Sequence, residues 1–303
     1  MAFSGAATPL ASVASVGLGL AAATTWGGSD FAGGIGARRH PALLVVASGH
    51  FVTLLLLLAA CSIGRLAIPH PVEFFEGAVG GLEGSLALVV FYRALAMGEM
   101  GLTAALTGLL TALVPVLFGL WSEGLPAPLA LCGLILGGVA IWLVCYTGRH
   151  SPGHNTPPLA LLLGAISGAG FGLQLILLKL AAKDGILWAL TSARIGGVLG
   201  MAAILIFAWP RKTDWGEKSS APGGRIWTGF WGVGILAGTL DTLGNIGYTI
   251  AAHSGRLDLA AMVSSLYPGC TIVLAAMILH ERPTPRQTLG MAVALASVVL
   301  LSL

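Results

Sequence analysis

The 303-residue sequence predicts an all-α integral membrane protein, with ten transmembrane helices arranged as two inverted five-helix repeats. Three observations carry that prediction. Ten apolar stretches of spanning length fill nearly the whole chain, and the first five are echoed by the last five. Hydrophobic residues make up 56% of the sequence and charged residues only 9%. A bilayer's hydrocarbon core is about 30 Å thick and takes about 20 mostly apolar residues to cross. Soluble chains are roughly a quarter charged, so a chain of this composition presents its surface to lipid. Ten such helices with short turns use up the length and leave no room for a soluble domain.

The spans are expected at about residues 10–36, 41–63, 72–97, 101–121, 126–147, 157–182, 186–209, 225–252, 256–279 and 284–302. Met1 to Pro9 holds no Lys or Arg, so the basic region of a signal sequence is missing and the first span is expected to be retained. The connections are short except for Arg149 to Pro158 and Pro210 to Arg225. The first of these, RHSPGHNTPP, is built of turn residues and divides the chain near its middle. It separates a first repeat, 10–147, from a second, 157–302. Pro268 lies inside the ninth span, where its missing amide frees a carbonyl and is expected to kink the helix.

The halves match in detail. Residues 92–104 read YRALAMGEMGLTA, and residues 248–260 read YTIAAHSGRLDLA. Each has a Tyr, a small-residue helix end, a tight Gly turn and a new helix start. From Ser122, SEGLPAPLALCGLILGGVAIWL parallels HERPTPRQTLGMAVALASVVLL from His280. An odd number of spans per half places the second half upside down. Inverted repeats are a common transporter plan, with the ligand near the midplane between them. Glycines four apart (77 and 81, 133 and 137, 164 and 168, 196 and 200, 234 and 238) are expected to let helix backbones touch.

Charge and motifs exclude other classes. A net charge of +3 is too small for a nucleic-acid partner. With a cytoplasmic N-terminus, the inward loops would hold only Arg65, Lys179, Lys183 and Arg256. The outward loops would hold Arg38, Arg39, Arg93, Arg149, Arg211, Lys212, Lys218, Arg225, Arg282 and Arg286. The positive-inside preference therefore puts both termini outside. Cys61, Cys132, Cys145 and Cys270 form no CxxC pair and are expected to be buried free thiols. His150 and His154 flank a Ser-Pro-Gly turn, so no metal site is expected there. GVGILAG at 232–238 lacks the strand–turn–helix setting of a nucleotide loop. No Ser-His-Asp arrangement, metalloprotease motif or phosphate loop appears. The expectation is a protein that is not an enzyme and uses no cofactor or metal, with an intramembrane lipid-modifying enzyme and a channel as alternatives of a different class.

The sequence resembles the EamA-type branch of the drug/metabolite transporter superfamily. The likeness rests on the ten-span architecture, on Trp26-Gly27-Gly28-Ser29 in span 1, and on the stretch Tyr248 to Glu281. That stretch holds MVSSLYP at 262–268, a Pro thirteen residues before the Glu, and then Leu289-Gly290. In the first half Pro115 precedes Glu123 by only eight residues, and TGLLTALVP stands where the family has an aromatic-rich segment. The resemblance implies two inverted five-helix repeats, cytoplasmic termini, and gradient-linked movement of small metabolites. Small multidrug-resistance proteins, distant relatives in the superfamily, use a first-helix carboxylate with a basic residue eight positions on. Asp30 and Arg38 match that spacing here.

Charged groups inside a span cost on the order of 2.5–3.5 kcal/mol each to insert, which singles out Asp30, Glu83, Lys179, Arg194 and Asp241. Burial disfavours an ionised carboxylate, so Asp30 is the proton-coupling candidate. It shares a helix face with Trp26. Glu83 and Asp241, in corresponding spans of the halves, suit a cavity for an ammonium group, or else a structural pair with Arg93 or Arg194. Gln174, Asn245, Tyr248 and Tyr267 join Trp26 as polar or aromatic substrate-binding candidates. His50 is read as a hydrogen-bonded helix neighbour, and Trp121, Trp209, Trp215 and Trp227 as an interfacial belt. The expected function is export of small metabolites, amino acids foremost, by alternating access in a multi-pass protein of the bacterial inner membrane. The expected partners are a small solute and the lipid bilayer, with no nucleic acid and a monomeric state. Efflux of cationic compounds by proton exchange is the alternative. Helices 1, 3, 4, 6, 8 and 9 would form the cavity, and helices 5 and 10 would hold the repeats together.

Overall fold

The computed structural model describes residues 9–97, 100–145, 157–207, 226–279 and 285–302. Among the described residues there are helices and no strand. In chain order they are α1 (Pro9–Ala37), α2 (Ala42–Ile63), α3 (Pro71–Met97), α4 (Met100–Glu123), α5 (Pro128–Cys145), α6 (Pro158–Ala181), α7 (Ile186–Phe207), α8 (Ile226–Ser254), α9 (Leu257–Ser264), α10 (Tyr267–Ile278) and α11 (Pro285–Ser302). The helix ends flanked by described residues fall within two residues of their expected positions. The punctuation explains this accuracy. Proline opens α1, α3, α5, α6 and α11, at the turn where its missing amide costs nothing. Gly124, at φ 76°, ends α4 in the left-handed region open to glycine. The ninth span is broken as expected: α9 stops at Ser264, and α10 restarts at Tyr267 with Pro268 in its first turn.

The chain is a multi-pass membrane protein. Six segments are long and apolar enough to cross a bilayer by composition alone: Ala42–Ile63, Pro71–Met97, Thr103–Glu123, Pro158–Ala181, Ile186–Phe207 and Leu257–Ile278. Helices α1 and α8, at 29 residues each, reach about 43 Å at ~1.5 Å per residue. They spend part of that length on glycines, hydroxyls and the cavity carboxylates described below. Leu55, Leu56, Leu162 and Ile166 are exposed on the outer faces, where lipid replaces water as solvent. Trp121, 81% exposed at the end of α4, fits the expected belt.

Helix neighbours repeat across the two parts of the chain. α3 packs along α6, and α1 along α8; α3 packs on α7, and α2 on α8; α4 packs on α6, and α9 with α10 on α1. Exchanging α1–α5 for α6–α11 in order, with α9 and α10 counted as one, turns each of these pairs into its companion. The contacts α5–α11, α2–α7 and α4–α9 map onto themselves. The tightest crossings use the glycines. A Cβ on Gly49 would meet Gly238 Cα at 2.9 Å, so α2 and α8 touch backbone to backbone. A Cβ on Gly81 or Gly196 would strike the main chain of Ala193 or Ala78, which holds α3 against α7.

One expectation is corrected. Cys61, Cys132 and Cys270 are free, but Cys132 is exposed and Cys270 only partly buried. A thiol behaves as a small hydrophobe, so facing lipid costs it nothing. Glu99, His150, His154, Trp209, Trp215, Glu281 and residues 149–156 and 210–225 of the long connections lie outside the described residues.

The helix contacts set a stability test. Gly238→Ala forces its new methyl onto α2 and is expected to cost about 1–3 kcal/mol through overpacking, lowering the unfolding midpoint in detergent. Gly17→Ala adds a methyl where nothing lies within 4 Å and is expected to leave the midpoint unchanged.

Candidate functional site

A cavity opens inside the bundle. Helical spacing puts its lining on one face of each contributing helix. Trp26 and Asp30 lie four apart on α1, as do Asp241 and Asn245 on α8. Phe171, Gln174 and Leu175 fall within one turn of α6, while α3, α4 and α10 give Leu88, Thr111 and Tyr267. These are the helices expected to form a cavity, and α5 and α11 pack together away from it. Trp26 meets Tyr267 edge-on, with ring centroids 6.3 Å apart and planes at 88°. Phe171 stands edge-on to Phe91 behind it at 5.7 Å.

The two cavity carboxylates have different surroundings. Asp30 is 6% exposed and has no hydrogen bond or ion pair among the described residues. Its electrostatic neighbour is Asp241, a like charge. Asp241 Oδ2 pairs with Arg194 Nη2 and accepts a hydrogen bond from Asn245 Nδ2 at 3.1 Å. Arg194 comes from α7, is 5% exposed, and is not part of the lining. It also donates from Nη2 to Thr242 Oγ1 at 2.9 Å and from Nη1 to His50 Nε2 at 2.8 Å.

Those contacts fix the histidine tautomer. A guanidinium only donates, so His50 Nε2 is the acceptor and the ring proton sits on Nδ1. From there it is donated to Ser85 Oγ at 3.0 Å, and Ser85 donates onward to Gly81 O at 2.6 Å. One chain of polar contacts therefore runs from the cavity wall on α8 through α7 and α2 to α3.

Two tyrosines brace the site from behind. Tyr92 OH bonds to Ser29 Oγ at 3.0 Å and donates to Ser29 O at 3.3 Å, joining α3 to α1. Tyr248 OH donates to Leu175 O at 2.9 Å, joining α8 to α6. These are the tyrosines that head the matched segments at 92–104 and 248–260. Each spends its hydroxyl on the first helix of its own part of the chain.

Of the residues singled out in the sequence, Trp26, Asp30, Gln174, Asp241, Asn245 and Tyr267 are brought together at the cavity. Tyr248 is fully buried behind the lining, its ring 5.8 Å from Trp26. Glu83 lies outside the lining: its Oε1 packs against α6 at Gly170, and its Oε2 is buried without a hydrogen-bond partner among the described residues. Lys179 pairs with Glu123, which also accepts a hydrogen bond from Leu257 N at 3.2 Å. That cluster ties the ends of α4 and α6 to the start of α9 on one side of the bundle. Sequence reasoning did not select Arg194, His50 or Ser85 as a unit. Their signal was weak: an Arg, a His and a Ser at the centres of separate apolar spans. No group of three or more His, Cys, Asp or Glu among the described residues is placed to hold a metal ion.

Residues 158–303 match the model of the EamA-like transporter family. A solved structure described only as "Crystal structure of protein" aligns with TM-score 0.67 and 18% identity, covering 95% of this chain and 98% of that one. That likeness concerns the fold. No curated protein matches the sequence.

The tyrosine braces are open to measurement. Interhelical hydrogen bonds in membranes average about 0.6 kcal/mol. Tyr92→Phe and Tyr248→Phe are each expected to lose about that much in denaturant titrations in mixed micelles. The double variant should show additive losses, because the two bonds share no partner.

Proposed function

Since residues 158–303 match the model of the EamA-like transporter family, we propose that this chain is a secondary transporter that exports small ammonium-bearing metabolites. In this reading it works in a bacterial inner membrane by alternating access through the central cavity. Amino acids and their amine counterparts are the solute class.

One observation carries the reading. Two carboxylates face a single aromatic-walled cavity, and the one guanidinium beside them lies behind the wall. With both carboxylates ionised, Asp30, Asp241 and Arg194 sum to one negative charge. A charge in so dry a place demands compensation. One proton or one ammonium supplies it, and the two compete. Proton exchange follows: the solute leaves when Asp30 takes a proton from the compartment then open to it. Asp30 is the coupling residue, Asp241 and Asn245 hold the ammonium, and Trp26 and Tyr267 offer ring faces to it. Gln174 and Thr111 serve the neutral end of the solute. Tyr248 supports Trp26 from behind, and Glu83 belongs to the α3–α6 contact.

Alternating access needs two similar bodies. The exchange of helix pairs and the equivalent tyrosine bonds support two inverted five-helix repeats, 10–147 and 157–302, rocking about the cavity. A second reading has a specific observation in its favour. A solute carboxylate would meet only neutral donors, because Arg194 is held by Asp241. Cationic amines and drugs then bind better than zwitterions.

Counterflow in proteoliposomes tests both readings. Labelled phenethylamine and phenylalanine are expected to exchange, with the amine faster if the second reading holds. Acidifying the opposite compartment is expected to accelerate release. Asp30→Asn should abolish the response to a pH gradient, and Asp241→Asn should slow exchange at least tenfold without lowering expression. No movement of either solute in any gradient would refute the transport reading of this cavity.

A further inference from the structure

Beyond Asp241, the polar chain behind the cavity is not used by solute binding as described above. It nonetheless crosses the boundary between the two parts of the molecule. Arg194 lies on α7 and Asp241 with Thr242 on α8, while His50 lies on α2 and Ser85 on α3. His50 is the ninth residue of α2, and Arg194 the ninth of α7. In the helix exchange that relates the parts, α2 and α7 are partners, so these positions are counterparts that meet each other directly. Their contact therefore sits at the seam between the two parts.

We propose that Arg194, anchored by His50, is a positioning residue that couples occupancy of the cavity to this seam. The inference rests on the transport reading of the cavity. With no cation in the cavity, Asp241 holds Arg194, and Arg194 holds α2 through His50. An ammonium that reaches Asp241 competes for the carboxylate with the guanidinium. A guanidinium stripped of its carboxylate cannot remain in a dry interior at no cost. It retains only His50 and Thr242, both neutral acceptors, and the seam repacks around it. The solute thereby binds the resting arrangement less well than the rearranged one, and a ligand shifts a conformational equilibrium only through such a difference. Arginine suits the role, since its planar fork reaches the carboxylate with one nitrogen and the imidazole with the other.

The test separates binding from turnover, with radiolabelled phenethylamine as the probe. Arg194→Gln frees Asp241, so the probe is expected to bind at least fivefold more tightly in detergent. Counterflow turnover per binding site is expected to fall at least tenfold. His50→Gln, which leaves the guanidinium in place but loosens its anchor, should move both readouts in the same directions by smaller factors. Arg194→Lys should restore the wild-type dissociation constant and part of the turnover. A residue needed only for folding would lower sites and transport together and leave affinity per site unchanged; that result would overturn the proposal. If Arg194→Gln does not give a monodisperse protein, His50→Gln decides by the same two numbers, and wild-type values for both refute the coupling. If the wild-type protein binds no probe at all, the transport reading of the cavity fails and this inference fails with it. Wild-type binding and exchange without the split in the variants refutes the coupling alone.

Discussion

Lipid offers no hydrogen bonds, so every polar group within the bundle must find its partner inside the protein. Most of the described hydroxyls obey this rule locally. Thr24, Thr53, Thr107, Thr111, Ser85 and Thr249 donate to carbonyls four residues earlier on their own helices. The charged groups cannot be satisfied so cheaply. Arg194 needs three partners, from α2 and α8: a carboxylate, an imidazole and a hydroxyl. Its position dictates where α2, α7 and α8 cross, and their glycines let those helices come close enough for the contacts to form. The backbone contact between Gly49 and Gly238 and the polar chain one turn away are parts of one solution. Glu83 Oε2, Thr103 Oγ1, Ser264 Oγ and Ser265 Oγ depart from the rule away from the cavity lining, whereas Asp30 is a carboxylate without a partner that lies at the cavity. A carboxylate left without a partner beside a cavity is a place where an exchangeable cation fits.

Much of this was legible in the sequence, for identifiable reasons. Span boundaries follow from hydropathy and proline, both local properties, which is why the helix ends flanked by described residues fall within two residues of expectation. The break at Pro268 follows from one missing amide. Asp30 and Asp241 stand out because a charge within an apolar span is rare, and the periodicity that puts Trp26 above Asp30 also puts Asn245 beside Asp241. Pairing across helices was less legible. Arg194 had two acidic candidates and could not be assigned to Asp241 without knowing which faces meet. Glu83 stands nine residues before Tyr92, and Asp241 seven before Tyr248. A two-residue offset on a helix is a rotation of about 200° at 3.6 residues per turn. That rotation accords with Asp241 at the cavity and Glu83 against Gly170. Tyr248 looked like a ligand group for a related reason: the sequence shows a hydroxyl, and only the fold shows that Leu175 already accepts it.

The correspondence between the two parts of the chain is a matter of backbone more than of chemistry. Tyr92 and Tyr248 keep both position and role. His50 and Arg194 keep position and meet each other, yet one is an acceptor and the other a donor. Identical residues there would fail: two arginines would repel, and two histidines would leave Asp241 without a counter-ion. A position that faces its own counterpart is thus driven to differ, and sequence comparison between the two parts loses the signal where the contact needs complementarity.

The same divergence polarises the cavity. Its acidic groups come from α1 and α8, which pack on each other, while α3 and α6, also a packed pair, present Leu88, Phe171, Gln174 and Leu175. One wall is anionic and the facing wall neutral and mostly apolar. A solute with an ammonium at one end and an apolar body at the other has one favourable orientation between them, and reversal would bury a charge against Leu88 and Phe171 at a cost of several kcal/mol. In the proposed mechanism each helix pair joins one repeat to the other, so both walls deform when the repeats rock, but neither changes its chemistry. The solute then keeps its orientation from one open state to the other. What alternates is access to Asp30, whose charge must be balanced by the solute or by a proton before the acidic wall closes.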